Sequence, residues 1–342
     1  MANTAPKVAE VEREEAPAAV DKKAQALADK IRTSRHLVVF TGAGVSTSAG
    51  IADFRGPQGA WTLMAQGREH DLRSIDTLEA IPTPTHMALV ELQSRGLLKY
   101  LISQNCDGLH RRSGILPGMI SELHGNSNRE YCKDCGKEYI RGRKCAICGG
   151  ILLDSIINFG EDLPETDFRR AHMNAQKSDV FLVLGSSLTV TPANEIPEIP
   201  GRKFSPLLAI CNLQETPLDA LADIRVFAKS DDLMLRVMEK LDIPIPAFIL
   251  QRRLAIKNGQ NARGKFQIHI TGVDVDGTPN FRGDLDPGTK VELELEFMGN
   301  YGEPNLLLSH DHVGQADGSV MYDLQYNPAD GKWDYSRASS LD

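Results

Sequence analysis

The chain has 342 residues, 41% hydrophobic and 25% charged, which excludes a disordered or fibrous protein and allows one large domain beside a smaller one at roughly 150 residues each. Its net charge of −8 lies wholly in residues 261–342, where six Lys and Arg face fourteen Asp and Glu, so a general grip on nucleic acid is not expected. No apolar run approaches the roughly 18 residues of a membrane span, and Met1 to Val20 lack the apolar stretch of a secretory signal; the expectation is a soluble intracellular protein.

In chain order, residues 1–20, rich in Ala, Glu and Pro, read as a disordered leader. Val20, Ala24, Leu27 and Ile31 then recur at helical spacing. Strands are predicted at Leu37–Phe40, Tyr100–Ser103, Val180–Leu184, Leu207–Cys211 and Ile224–Phe227, and helices at Thr85–Ser94, Thr166–Lys177 and Asp232–Leu241. Continuously apolar strands separated by helices indicate an α/β fold of Rossmann type, a parallel sheet covered by helices on both faces. Pro244 and Pro246 end that pattern. Beyond residue 260, Phe266–Ile270 and Val291–Phe297 alternate with period two between Asp-Gly and Pro-Gly turns, predicting a small antiparallel β unit with an acidic wet face. The pairs Arg111-Arg112 and Arg252-Arg253 read as solvated surface rather than as nucleic-acid patches.

The first strand runs into Thr41-Gly42-Ala43-Gly44-Val45-Ser46-Thr47. Small residues there let a backbone approach a pyrophosphate, although a tight turn without a ligand has the same look. Thr47 breaks the GxGxxG fingerprint, which argues against an ordinary dehydrogenase. Asp53-Phe54-Arg55-Gly56 follows, and Gly185-Ser186-Ser187-Leu188 and Asn212 with Gln214 come after two later strands, as capped loops or as nucleotide contacts. Together these elements favour a nucleotide at the carboxyl ends of the strands. Gln104-Asn105-Cys106-Asp107-Gly108-Leu109-His110 places amides and a carboxylate after another strand, where Asn105 and Asp107 can hold a carboxamide. His124, among small polar residues, is the preferred general base and His110 its rival.

Four of the six cysteines form two CxxCG knuckles, Cys132 with Cys135 and Cys145 with Cys148. Paired knuckles point to one zinc ion in a closed, structural tetrahedron; a redox-active CxxC is the alternative. Glycine after each second cysteine provides a left-handed turn. Cys106 and Cys211 read as small buried hydrophobes.

Over about residues 30–248 the chain resembles the sirtuin family. The likeness rests on Gly42-Ala-Gly-Val-Ser-Thr, Asp53-Phe-Arg-Gly, Gln104-Asn-Cys-Asp-Gly-Leu-His, Leu123-His-Gly-Asn, the two CxxC pairs, Phe159-Gly-Glu and Gly185-Ser-Ser-Leu. Gly56-Pro-Gln-Gly-Ala-Trp-Thr, Ser103-Gln-Asn-Cys-Asp and Asn212-Leu-Gln-Glu-Thr-Pro resemble class IV, the nuclear branch of human sirtuins six and seven, and the seventh more closely.

That resemblance implies a catalytic domain over 21–248 with a small four-cysteine zinc-ribbon module inserted at about 125–155, followed by an acidic β-rich extension over 249–342. It implies NAD bound by Ala43, Gly44, Thr47, Asp53, Phe54, Arg55, Trp61, Gln104, Gly185, Ser186, Ser187, Asn212 and Gln214, with Ser230 at the adenine. Asn105 and Asp107 would hold the nicotinamide, His124 would be the base, and Phe159, Gly160 and Glu161 would border an acyl-lysine peptide lying between the two parts. The implied reaction is NAD-dependent deacylation of a histone tail or other nuclear protein, giving nicotinamide, 2′-O-acyl-ADP-ribose and free lysine, with chromatin association and a nuclear location. Alternatives are mono-ADP-ribosyl transfer and a weakly active NAD-binding chromatin scaffold. The chain departs from the family pattern at Ala49, where many members have serine, at Ala52, where proline is usual, and in the nine-residue gap between knuckles.

Overall fold

The computed structural model describes residues 11–77, 79–136, 138–139, 145, 148–203, 205–260, 266–272, 281–285, 290–295, 303–311 and 318–338. Helix α1 (Pro17–Thr33) buries Val20, Ala24, Leu27, Ala28 and Ile31, one apolar stripe of an amphipathic helix. Residues 17–20, expected in the leader, are its first turn. Ahead of it, the Arg13 amide donates to the Leu213 carbonyl and the Glu15 amide to the Phe227 carbonyl, each at 2.8 Å. The leader expectation is corrected from residue 11 onward: its polar composition hid backbone donors that are satisfied by the sheet end.

The next elements are β1 (Leu37–Thr41), α2 (Ala60–Ala65), α3 (Pro84–Ser94), β2 (Leu98–Ser103), α4 (Leu109–Ser113) and β3 (Ile120–Glu122). Three short strands follow, β4 (Glu130–Cys132), β5 (Glu138–Tyr139) and β6 (Leu152–Asp154). Then come α5 (Glu165–Lys177), β7 (Val180–Leu184), α6 (Glu195–Gly201), β8 (Leu207–Cys211), β9 (Ile224–Val226) and α7 (Ser230–Leu241). The chain divides into two compact units, Met1–Arg129 with Asp154–Ala247, and Glu130–Leu153 with Phe248–Asp342.

The first unit is built on a six-stranded sheet in the order β3-β2-β1-β7-β8-β9, with every neighbouring pair parallel. Counted along the chain this is 3-2-1-4-5-6, the doubly wound order, and the winding reverses between β1 and β7. Alternation along the strands assigns the two faces. Leu37, Val39, Leu101, Leu182, Leu184 and Ala209 pack with α1, α3 and α7, whereas Val38, Phe40, Ile102, Phe181, Val183 and Ile210 pack with α5 and α6. Each fully buried Leu or Phe contributes about 1.5–3 kcal/mol relative to exposure, so these apolar strands are stable only with both faces covered.

The second unit contains the β5-β4-β6 sheet and the C-terminal strands β10 (Leu250–Gln260), β11 (Phe266–Gly272), β12 (Phe281–Leu285), β13 (Lys290–Leu295), β14 (Leu306–Asp311), β15 (Gly318–Asn327) and β16 (Lys332–Ala338). An antiparallel sheet β12-β11-β10-β15-β16 and the β13-β14 pair share a core of Leu254, Ile256, Leu306, Leu308, Tyr322 and Leu324, as in a two-layer β packing. Along β14 burial alternates residue by residue, and on β13 Glu292 and Glu294 are exposed, which is the acidic wet face expected. The expected strand is described as far as Leu295; its end at Phe297 and the Asp276-Gly277 and Pro287-Gly288 turns lie outside the described residues. No helix among the described residues is long and apolar enough to cross a membrane.

Candidate active site and four-cysteine centre

The loops after β1 and β7 meet where the winding reverses. The Gly42 amide donates to the Leu184 carbonyl (3.0 Å) and the Gly44 amide to the Gly185 carbonyl (2.9 Å). A Cβ on Gly42 would lie 2.7 Å from the Gly185 oxygen, and one on Gly185, whose φ is +62°, 2.7 Å from the Gly44 carbonyl carbon. The glycines are thus required for two loops to touch, a reason beyond close approach of a phosphate. Their meeting point forms the floor of a cavity of about 530 Å³.

That cavity crosses the carboxyl ends of the strands. His124, after β3, and Gln104 and Asn105, after β2, line one end; Ala43, Gly44, Gly185, Ser186 and Ser187 line the middle; Asn212, Gln214 and Ser230 line the other. Thr47, Asp53, Phe54, Arg55, Trp61, Phe159, Gly160 and Glu161 complete the wall. The residues that the family likeness implies for NAD, base and peptide contact lie in this lining except Asp107, and the rival base His110 lies outside it as well.

His124 Nδ1 lies 2.9 Å from the Gln104 carbonyl oxygen. A carbonyl only accepts, so Nδ1 carries the proton and the Nε2 lone pair is left available in this tautomer. Burial lowers the pKa of His124, opposed by the Gln104 bond, which favours the neutral imidazole that a base requires. His110, the rival, is a core residue: its Nε2 is 2.8 Å from Thr41 Oγ1, its ring is 4.6 Å from that of His86, and burial holds its pKa far below the ordinary histidine value.

Asn105 Nδ2 donates to Ser46 Oγ (3.2 Å), and Ser46 Oγ donates to Asp107 Oδ2 (2.7 Å). Asp107 Oδ1 accepts the Leu109 amide at 2.8 Å. Asp107 does not line the cavity, and these bonds place it behind Ser46. Its carboxylate fixes Ser46 and opens α4, and Ser46 in turn fixes the Asn105 amide, which turns Asn105 Oδ1 into an acceptor at the cavity. A sequence can present Asp107 and Asn105 as neighbours but cannot reveal which carboxyl oxygen is already engaged.

The wall is aromatic. Phe54 and Trp61 have ring centroids 4.8 Å apart, Trp61 and Phe159 5.3 Å, and the Arg55 guanidinium lies 4.6 Å over Trp61, a cation–π arrangement. Asp53 forms the turn beneath them. Its Oδ1 accepts the Gly56 amide at 3.1 Å, and a Cβ at Gly56 or Gly59 would strike that carboxylate. Burial raises the pKa of Asp53. Ala52, where the family pattern has proline, uses the amide that proline lacks to donate to Ser74 Oγ at 3.1 Å; the lost φ constraint is replaced by a tether.

Several lining residues carried no sequence signal, among them Ile157, Val190, Pro192, Lys229 and Glu12. Glu12 lies ahead of α1, outside every strand and helix. Cys106 also lines the cavity; burial pushes its thiol up to about 12, like that of Cys211, so both behave as inert thiols. Arg111 pairs with Glu122 at 3.3 Å and both are largely buried, which corrects its reading as solvated surface. The side chains of Arg252 and Arg253 lie outside the described residues.

In the second unit the thiolate atoms of Cys132, Cys135, Cys145 and Cys148 all lie within 4.8 Å of one another, with Cys132 and Cys148 3.4 Å apart and Cys135 and Cys145 3.5 Å. A tetrahedral zinc with Zn–S of about 2.3 Å places its sulfurs roughly 3.8 Å apart, so the four are positioned to bind one zinc ion. Gly136 and Gly149 have φ of +70° and +75°, the left-handed turns expected after each knuckle. Their amides donate to the carbonyls of Cys132 (2.9 Å) and Cys145 (2.8 Å), giving two copies of one turn.

The Sir2 family model matches residues 69–192. A Drosophila melanogaster protein, NAD-dependent protein deacetylase Sirt6, is 37% identical over 252 residues, covering 67% of this chain and 78% of the fly protein. The chain belongs to the Sir2 family. Similarity to Sirt6 fits the class IV branch. An Arabidopsis thaliana relative, NAD-dependent protein deacetylase SRT1, is 44% identical over 241 residues, covering 66% of this chain and 51% of the plant protein. The chain thus spans about half the length of the plant relatives it matches. A solved structure of a Sir2 complex with p53 peptide and NAD+ superposes with a TM-score of 0.52 at 34% identity, covering 63% of this chain and 97% of that one.

Proposed function

We propose that this Sir2 member is an NAD-dependent protein-lysine deacylase, with its catalytic part in residues 21–248 and residues 249–342 as an acidic β-rich extension. The observation that carries the reading is the pair of open acceptors at one end of the cavity: the Nε2 lone pair of His124, set by the Gln104 carbonyl, and the Asn105 amide oxygen, set by Ser46 and Asp107. The glycine loops supply a backbone cradle for a pyrophosphate at the reversal of winding, and the relatives named NAD-dependent protein deacetylases support the same ligand.

When bound, NAD supplies a ribose carbon from which nicotinamide departs as the acyl oxygen of the peptide adds. Asn105 Oδ1 accepts the carboxamide N–H and holds that leaving group in place. His124 Nε2 takes a proton from a ribose hydroxyl, the step a neutral imidazole performs near pH 7. Phe54, Trp61 and Phe159 offer an apolar lining to an acyl chain, with Gly160 and Glu161 bordering the peptide. With one water consumed, the products are nicotinamide, 2′-O-acyl-ADP-ribose and free lysine. The zinc in the four-cysteine module is structural, since four thiolates leave no open coordination position. The substrate is a histone tail or another nuclear protein and the location is nuclear, as the class IV resemblance implies; a fluorescent fusion excluded from the nucleus would contradict it.

The test is mass spectrometry of products from NAD and histone H3 peptides carrying acetyl- or myristoyl-lysine, with His124→Ala in parallel. Acyl-ADP-ribose formed by the unsubstituted protein alone is the expected result. Nicotinamide release with ADP-ribose added to protein would replace deacylation by ADP-ribosyl transfer, and NAD binding with no product would leave a scaffold.

A further inference from the structure

The segment ahead of α1 is held against the adenosine end of the cavity. Besides its two backbone bonds to Leu213 and Phe227, Glu15 accepts the Phe227 amide at 3.1 Å and the Lys23 ammonium at 2.6 Å. Arg13 pairs with Glu215 at 2.7 Å. These anchors bring Glu12, the residue before Arg13, into the lining beside Leu213 and Gln214, together with Lys229.

That end of the cavity is the one opposite His124. A dinucleotide whose nicotinamide meets Asn105 and whose pyrophosphate crosses Gly44 and Gly185 leaves its adenosine ribose at the loops after β8 and β9. Doubly wound dinucleotide sites commonly read the ribose with a carboxylate after the second strand. Here β2 is followed by Gln104, Asn105 and Asp107, all engaged at the nicotinamide end. The residues lining the cavity after β8 include amides, Asn212 and Gln214; each NH2 group donates one N–H to a carbonyl, of Gln214 and of Arg55, and keeps a second that can donate to a phosphate. Glu215 is drawn off by Arg13. Asp53, the neighbouring carboxylate, is engaged by the Gly56 amide, whereas Glu12 takes no hydrogen bond or ion pair among the described residues. It feels the Lys229 charge across the cavity wall, and burial together with Asp53 raises its pKa.

We infer that Glu12 is a specificity-determining residue of the nucleotide site: its carboxylate accepts from the adenosine ribose hydroxyls and, by offsetting Lys229, repels a 2′-phosphate, so that the protein selects NAD over NADP. The inference rests on the NAD-binding reading above. The hydroxyl recognition is delivered from outside the doubly wound fold by the strap that precedes α1.

The experiment is equilibrium binding of NAD and of NADP to the full chain by calorimetry, for the unsubstituted protein, Glu12→Gln and Lys229→Met, with melting temperature as a folding control. Glu12 is exposed at the surface of its segment, so Glu12→Gln is expected to fold. The NAD-to-NADP affinity ratio should fall about tenfold or more in Glu12→Gln, mainly through tighter NADP binding, the size of one nearby charge at an intermediate dielectric. In Lys229→Met it should rise. A ratio unchanged within about twofold in Glu12→Gln, with NAD still bound, overturns the inference and leaves the NAD reading intact. Failure of the unsubstituted protein to bind either nucleotide overturns both.

Discussion

The two centres of this protein treat their polar atoms in opposite ways. In the four-cysteine centre the ligand sulfurs face one another within 4.8 Å, and a single tetrahedral ion satisfies them all. In the cavity at the strand ends, each key group is fixed by a partner behind it while one atom stays open: Gln104 behind His124, Ser46 and Asp107 behind Asn105. The difference teaches how structure divides labour. A structural site closes its valences, whereas a site meant for an incoming molecule orients its donors and acceptors in advance and leaves them unmet.

The closed centre breaks most completely. Cys145→Ser should take bound zinc from one ion per chain to none by elemental analysis, because three thiolates and a hydroxyl do not close the tetrahedron; retention of a full equivalent would show that another ligand set holds the metal. In the open centre, Asn105→Ala should lower NAD-dependent nicotinamide release by about a hundredfold, as loss of an oriented transition-state contact does, whereas the zinc content stays unchanged. Ser46→Ala removes only the orienting hydroxyl, a bond to a carboxylate worth about 1.5–3 kcal/mol. It should cost roughly tenfold in the same assay, and an effect equal to that of Asn105→Ala would mean that Ser46 itself meets the ligand. Gly185→Ala forces a left-handed residue and a clash with Gly44, so the unfolding free energy should drop by at least about 1–2 kcal/mol; no loss would mean that the two loops can part without cost.

A separate effect is on acid stability. Burial holds His86 and His110 neutral, well below the ordinary histidine range. As pH falls below about 6.5 the unfolded chain takes up protons that the folded chain refuses, so stability is complete above that pH and declines toward acid, by about 1.4 kcal/mol per pH unit for each histidine. Urea unfolding at pH 7 and 5.5 reads that slope; half of it would mean that one ring is protonated in place, and a flat profile that both are.

How legible all this was depended on the kind of force involved. Strands such as Val180–Leu184 and Leu207–Cys211 were readable because burial on both faces demands an unbroken apolar run. The knuckles were readable because two cysteines and a glycine in one tight turn serve few purposes. Helix α6 was missed: Pro197 and Pro200 within Glu195–Gly201 argue against a helix in any local reading, and only packing of Ile196 into the core overrides them. β3 spans three residues, too few for a period to register. Within the site, spacing brought the right residues to the strand ends, but the division of work between Asn105 and Asp107 depends on which atoms are already bonded. Glu12 reaches the cavity through backbone bonds to Leu213 and Phe227, and nothing in its neighbours' identities announces that.

The central claim is that His124 acts on the nucleotide without holding it. The most direct measurement is single-turnover formation of acyl-ADP-ribose by the full chain and its His124→Ala variant, beside NAD affinity measured on both. The expected result is an affinity changed by no more than a few-fold and a rate lowered by about 10²–10⁴, the range for loss of a general base. Equal rates in the two proteins, or a rate loss matched by an equal loss of NAD binding, would contradict it.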